Sequence, residues 1–261
     1  LCGYNNGYAA ELGQDDHLQW GYYTYAAALM CMFDEDFKRD YGEMAKLVGK
    51  QYANWKRNEK LPFFRTWSPW FGHSHTGPFG DGGGNGQESS SESMESWGGL
   101  YFLAVALGDK EMRDAAIMGY TVEARATQEY WFDIDHENID YEKFEWHPEN
   151  NKKDFEGNQL YMHRHFNAHV KNSGIGWWTW FCGNPIWMPL INWLPMSPCL
   201  KYLYEFPEWN RVHYEYTEAQ RELFYRSNAG SNPGFIDGEY EENNSYANGS
   251  HAVGNNILEY L

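Results

Sequence analysis

Residues 88 to 131, "ESSSESMESWGGLYFLAVALGDKEMRDAAIMGYTVEARATQEYW", hold two helix-forming runs separated by little more than Gly108-Asp109. So short a break leaves two helices one arrangement, antiparallel and side by side. The same grammar appears earlier. "HLQWGYYTYAAALMCMF", residues 17 to 33, is a small-and-aromatic run long enough for a helix. Asp34, Glu35 and Asp36 follow it and give a second helix, over about 36 to 56, the acidic start that a helix N-terminus favours. "LPFFRTWSPWFGHSHTGPFGDGGG" is too rich in proline and glycine for a long regular element.

Further along, residues 132 to 158 are acidic and poor in aliphatics, and predict an exposed excursion. A short helix is expected over 159 to 172. "GIGWWTWFCGNPIWMPLINWLP" predicts a loop with a buried aromatic lining, and helices are expected at 197 to 206 and 215 to 226. The asparagine-, glycine- and serine-rich tail carries weaker periodicity. Helical hairpins joined by alternately short and long loops predict an all-α chain, either a helical toroid or an irregular helical domain.

A length of 261 residues suits one large domain or two small ones. With 37 acidic against 20 basic residues and a net charge of -17, no basic stripe is available to replace the counterions of a nucleic acid. No uninterrupted apolar run reaches the roughly 18 residues of a membrane span. The chain opens without Met and without a signal-like apolar stretch, so a processed or excised piece is expected. It is rich in aromatics, with 13 Trp, 20 Tyr and 15 Phe. Such side chains fill cores, but their flat faces also suit the C–H side of sugar rings. Cys2, Cys31, Cys182 and Cys199 lack CxxC spacing; Cys182 and Cys199 are near enough in sequence to bridge, and secretion is compatible with that.

Three segments carry candidate chemistry. Glu88, Glu92 and Glu95 lie at helical spacing along one side. The glycines from 82 to 84 let the preceding chain come close to whatever those carboxylates face. Asp15 and Asp16 precede the first helix, where either can cap it. His17, Gln19, Trp20, Tyr22 and Tyr23 add polar and aromatic groups beside them. Two separated carboxylate clusters are what glycoside hydrolysis needs: one acid protonates the leaving oxygen while one base activates water. In "RTWSPWFGHSHTG", Arg65 can orient a carboxylate. His73 and His75 form an H-x-H that alone is a weak metal signature, as are His163, His165 and His169.

These segments resemble, in order, the catalytic domain of glycoside hydrolase family 81, the endo-β-1,3-glucanases. "DDHLQWGY" at 15 to 22 is similar to the family pattern D-H-H-F-H-Y-G-Y. "PFFRTWSPWFGHSH" at 62 to 75 is similar to P-F-L-R-N…G-H-S-W, and "GQESSSES" at 86 to 93 to N-Q-E-S-x-S-E-A. "WGGLYFLAVALGD" at 97 to 109 and "TWFCGNPIWMPLINWLPMSP" at 179 to 198 extend the likeness, which covers about residues 10 to 205.

The resemblance implies an (α/α)6 toroid acting internally on β-1,3-glucan with inversion, without metal or cofactor. It implies Asp15 as general acid and Glu88 as general base, with Glu92 essential and able to exchange roles with Glu88. It places His17, Arg65 and His73 toward substrate, and beside them Gln19, Trp20, Tyr22, Trp67 and Trp70 are candidate substrate-binding residues of the cleft. Of these, core packing competes for Trp20, Tyr22, Trp67 and Trp70. Glu95 has no family counterpart and reads as a helix-surface residue. Gln19, Leu18, Thr66, His75 and Gly86 depart from the family residues at their positions. The chain is short for a six-hairpin toroid and carries no upstream β-sandwich, so a shortened or incomplete toroid over 1 to 261 is expected. An extracellular or wall-associated setting follows from the substrate; oligomeric state has no sequence signal. Two other classes share these features: a glucan-binding protein that has lost turnover, and a polysaccharide lyase on a similar toroid.

Overall fold

The structure, a computed structural model, describes residues 15–58, 60–76, 86–135, 137–138, 169–171, 174–176, 191–211 and 214–215. Most described residues are helical, and the chain divides into two compact units. One comprises residues 1–128 and 170–174; the other comprises 129–169 and 175–261.

The first unit is built from two helical hairpins. Helix α1 spans Asp16–Phe33 and α2 spans Glu35–Ala53. Asp34 alone separates them, and its carboxylate accepts from the amides of Asp36 (3.0 Å) and Phe37 (2.9 Å), capping α2. At the other end Asn54 stops α2. Its side-chain amide donates to the carbonyls of Lys56 (2.7 Å) and Leu61 (2.8 Å), so the helix ends three residues short of the predicted 56. Helix α3 (Ser90–Leu107) and α4 (Lys110–Ala126) form the second hairpin. Gly108 turns the chain at φ 69°, a left-handed conformation that favours glycine, and the Asp109 side chain caps α4 through the Met112 amide at 3.0 Å. Asp109 also meets Lys46 Nζ at 2.9 Å, which ties this turn to α2.

Helix α1 lies along α3, and small residues let the two come close. A Cβ on Gly21 would fall 1.8 Å from Ser96 Oγ; one on Gly99 would fall 2.8 to 3.0 Å from Tyr25 backbone atoms. The first eleven residues of α3 are nearly all buried, serines included, because α1, α2 and α4 surround them. Gly119 on α4 gives room for Trp97, itself fully buried.

Short strands fill the space at one end of the hairpins. Strands β1 (Trp67–Ser68) and β2 (His73–Ser74) pair antiparallel around Gly72, whose φ is 73°. Strand β3 (Gly86–Gln87) pairs antiparallel with β4 (His169–Lys171), Gln87 opposite Val170; β5 (Gly174–Gly176) extends that sheet. Residues 169 to 171 are therefore strand, not the end of the predicted helix. The backbone of Gly86 and Gln87 offers them ladder partners that no local pattern announces. The glycine run at 82–84 and the predicted helix over 159–168 lie outside the described residues.

Helix α4 runs on into a π-helical turn, Thr127–Trp131. In the second unit Trp209 stacks on Phe132 (4.9 Å between ring centres) and on Trp193 (5.6 Å). The beginning of the expected exposed excursion is thus interior: Phe132, Asp133 and Ile134 are buried, since the aromatic stack needs Phe132 inside. The rest of that excursion, 139 to 158, lies outside the described residues. So do Cys2, Cys182, the aromatic loop over 177–190, and the predicted helix beyond residue 215. A 3-10 turn at Pro198–Leu200 and helix α5, Lys201–Tyr204, occupy the expected 197 to 206. Among the described residues, no helix is long and apolar enough to cross a membrane.

The α1–α3 approach makes a direct prediction. Gly99→Ala forces a methyl against the Tyr25 backbone, which cannot swing aside as a side chain would. Urea unfolding should show a loss of about 1–3 kcal/mol with secondary structure at low denaturant unchanged.

Candidate active site

Two backbone hydrogen bonds stitch the three sequence motifs together. The Asp15 amide donates to the Thr76 carbonyl at 2.6 Å, and the Thr76 amide donates to the Gly86 carbonyl at 2.9 Å. The start of α1, the end of the β1–β2 hairpin and the approach to α3 therefore lie side by side. Asp15 holds φ 58°, the left-handed region that Asp and Asn tolerate best after glycine. That conformation turns its side chain away from capping: it makes no cap hydrogen bond and instead accepts from Gln19 Nε2 at 3.2 Å.

Asp16 and Glu92 are near enough to Asp15 for their charges to couple. Tyr22, two turns along α1, donates its hydroxyl to Glu92 Oε1 at 2.7 Å. The ring of Tyr22 is partly exposed while its hydroxyl reaches in to the carboxylate. Burial, the Glu92 charge, and then Glu95 and Asp15 push the Tyr22 phenol well above its usual range, so it stays a donor. Burial raises the Glu92 carboxyl, a rise opposed by hydrogen bonds from Ser89 and Tyr22 and reinforced by Asp15. Asp15 is likewise raised, first by burial and then by Asp16, against the Gln19 hydrogen bond. Neighbouring carboxyls of this kind, Asp16 acting on Asp15 and Asp15 on Glu92, titrate as a set.

Asp16 has a different fate. It is buried and ion-paired with Arg65, whose guanidinium also donates to the Gln51 carbonyl through Nε (3.1 Å) and one terminal nitrogen (2.9 Å). Arg65 does orient a carboxylate, and that carboxylate is Asp16 rather than Asp15. Burial still raises Asp16 more than Arg65 lowers it.

Glu88 is buried at the mouth of α3. Its amide and that of Ser89 donate to the side-chain oxygen of Gln87, at 3.0 and 3.1 Å. The Ser89 side chain makes no cap hydrogen bond, and the Gln87 side chain serves the two amides just ahead of α3 rather than those within its first turn. Glu95 is buried as well, at 4% exposure, and is not a surface residue. It lies one turn beyond Glu92 on the enclosed first part of α3, and its charge is felt by both Tyr22 and Tyr52.

The remaining candidates divide between interior and surface. His17 is fully buried between the rings of Tyr52 (5.1 Å) and Trp97 (5.0 Å). Thr66 commits its hydroxyl to the Tyr52 carbonyl at 3.0 Å, so His17 Nδ1, 3.1 Å from that hydroxyl, is the donor. Burial, then His75, lowers His17 to about 3. Burial lowers His73 to about 4. Trp67 is a core residue packed near Phe64 and edge-on to Trp97, and Trp20 is buried against Tyr23. Trp70, on the β1–β2 turn, is 87% exposed. Among the described residues no three of His, Cys, Asp and Glu converge as a metal site would require.

Glu123 was not singled out by its sequence. It is fully buried on α4, accepting from Ser74 Oγ (2.6 Å), Ser93 Oγ and Trp97 Nε1 (2.8 Å). A signal existed: Met112, Ala116, Gly119 and Glu123 share one helix face, and the first three are interior.

These motifs and their arrangement are matched by known proteins. The description "Glycosyl hydrolase family 81 C-terminal domain" fits residues 4–237. The chain belongs to glycosyl hydrolase family 81. A protein from Acetivibrio thermocellus named glucan endo-1,3-beta-D-glucosidase is 39% identical over 139 residues, which is 51% of this chain and 18% of that protein. One of the same name from Thermobifida fusca is 30% identical over 213 residues, 80% of this chain and 26% of that one. A solved family 81 glycoside hydrolase from Clostridium thermocellum, a point mutant, superposes with a TM-score of 0.70 at 27% identity. That match covers 97% of this chain and 35% of that one. The chain thus spans about a quarter or less of the curated relatives and about a third of the solved one.

The buried histidines set the acid limit of this unit. His17 charges near 6.5 when unfolded and near 3 when folded, so its contribution is complete above pH 6.5 and shrinks as pH falls. The slope is about 1.4 kcal/mol per pH unit in that window. The raised carboxyls work in the opposite sense, since the folded state takes up their protons first. His17→Gln should therefore lose stability less steeply than the parent between pH 6.5 and pH 4.5, read from urea midpoints across that range.

Proposed function

We propose that this chain carries a β-1,3-glucan hydrolase site on part of an (α/α)6 toroid, acting within the polymer and with inversion. The whole of 1 to 261 serves as helical catalytic domain, with the family-like core at about 10 to 205. Asp15 is the general acid and Glu88 the general base. Glu92, tied to Tyr22, orients the attacking water and is the second candidate for the base.

The observation that carries this reading is the grouping of Asp15 and Glu92 beside Tyr22, whose hydroxyl donates to Glu92, with both carboxyls raised by burial and Glu92 raised further by Asp15. An acid catalyst must hold its proton at working pH, and burial together with Asp16 moves Asp15 in that direction. Protonated Asp15 donates to the glycosidic oxygen as the bond to C1 lengthens. Water approaches C1 from the opposite face and gives its proton to Glu88, so the product anomer is inverted. The reaction draws on two carboxyls and water and needs no cofactor. The names of the relatives support a β-1,3-glucan as substrate. The exposed indole of Trp70 offers a sugar platform, and an extracellular or wall-associated setting fits a polymer of that size.

The test is product analysis on laminarin with the parent, Asp15→Asn and Glu88→Gln. Each substitution should lower kcat by about 10²- to 10⁴-fold with the circular dichroism spectrum retained. The first product seen by NMR should be the α-anomer. Undiminished reducing-end release in both variants defeats the assignment. Laminarin binding by the parent without any release identifies a binding protein instead, and unsaturated ends identify a lyase.

A further inference from the structure

The acid that positions Glu88 is itself remote from it. Gln87 makes contacts at both ends of its amide. Its oxygen accepts from the Glu88 and Ser89 amides, and its nitrogen donates to Ser74 Oγ at 2.8 Å. Ser74 Oγ in turn donates to Glu123, 2.6 Å away. Ser93 Oγ, 2.6 Å from Ser74 Oγ, also donates to Glu123, and Trp97 Nε1 donates to its other oxygen. Glu123, Ser74, Ser93, Gln87 and Trp97 are all at or near zero exposure.

The chain of bonds has a direction. Burial raises the Glu123 carboxyl, against the hydrogen bonds from Ser74, Ser93 and Trp97; in its ionised form it can only accept, and takes a hydrogen bond from each of these three. The Ser74 hydroxyl, spent on Glu123, has only lone pairs left for Gln87. That forces the Gln87 nitrogen toward Ser74 and its oxygen toward the two backbone amides. A flipped amide would set NH2 against two N–H groups, in a place where water cannot intervene.

We propose that Glu123 is a positioning residue: through Ser74 and the Gln87 amide it holds the peptide that carries Glu88, and so sets where that carboxylate stands. This rests on the assignment of Glu88 as the base given above. In Glu123→Gln one carboxylate oxygen becomes a donor. Facing the two serine hydroxyls it reverses the chain, and facing the Trp97 N–H it sets donor against donor and pushes the side chain off its partners. A displacement of about 1 Å at a reacting group is enough to cost roughly 10²-fold in rate.

The experiment takes the full chain as parent, Glu123→Gln, Ser74→Ala, Gln87→Ala and the Gln87→Ala/Glu123→Gln double variant. It reads laminarin kinetics and amide hydrogen exchange at Glu88 and Ser89. Each single variant should lose about 10- to 100-fold in kcat with KM within about threefold. The double variant should be no slower than the slower single, because both break one chain. The Glu88 and Ser89 amides should exchange faster in every variant while those of α2 keep their protection. Should Glu123→Gln fail to fold, Ser74→Ala and Gln87→Ala, which sit further along the chain, decide. Unchanged kcat, unchanged exchange at the two amides, or losses that multiply in the double variant overturn the proposal. Glu88→Gln separates the two readings. Full turnover in that variant removes Glu88 as base, while the exchange data still report whether Glu123 holds its peptide.

Discussion

Everything in the first unit depends on how near α1 comes to α3. Gly21 and Gly99 remove side chains from the contact, and Ser96 uses its hydroxyl to bond the His17 carbonyl across it. With the two helices this close, the start of α1 and the start of α3 reach the same end of the bundle. Tyr22 on one can then touch Glu92 on the other. A helix pair separated by leucines, at the 8–10 Å typical of larger contact residues, would leave those side chains without contact. The acids of the site are neighbours because the core between their helices is built from small residues.

That closeness has an electrostatic consequence. The front of α3 is enclosed, yet it carries Glu92 and Glu95 with Glu88 just ahead of it, and Glu123 faces it from α4. Among the described residues, the partners of Glu123 and Glu92 are neutral donors: hydroxyls, an indole and a phenol. Burial raises both carboxyls, and these neutral donors offset that rise only in part. Asp16, which receives the Arg65 guanidinium, lies beside Asp15 and tethers the motif by way of Arg65 and the α2 carbonyl of Gln51. Asp15 and Asp16 are adjacent in sequence, but only one is fastened to a cation.

The helical hairpins were legible because their periods and their short breaks are local. Asp34 and Gly108-Asp109 act within a few residues, and the structure uses them as expected. Strand β4 was not legible: three residues hold too little pattern, and their partners Gly86 and Gln87 lie more than eighty positions upstream. Burial of acids misled in the same way. Glu95 looked like a wet residue because charge is usually a sign of exposure, whereas enclosure of α3 comes from three other helices. Glu123 carried the more readable mark, its register with Met112, Ala116 and Gly119. Among the tryptophans, sequence could not separate Trp67, in the core, from Trp70 at the tip of the adjoining turn. Three positions on a two-residue strand and its turn reverse which way a side chain faces.

The left-handed backbone at Asp15 bears on how such a site changes over time. At φ 58° the chain accepts glycine, asparagine or aspartate with little strain and resists β-branched residues. Drift at this position is therefore channelled by geometry before chemistry is considered. Its least disruptive exit is asparagine, which keeps the turn and an oxygen for Gln19 but carries no transferable proton. With Asp15 as the proposed general acid, this one isosteric exchange trades turnover for attachment and leaves the fold untouched.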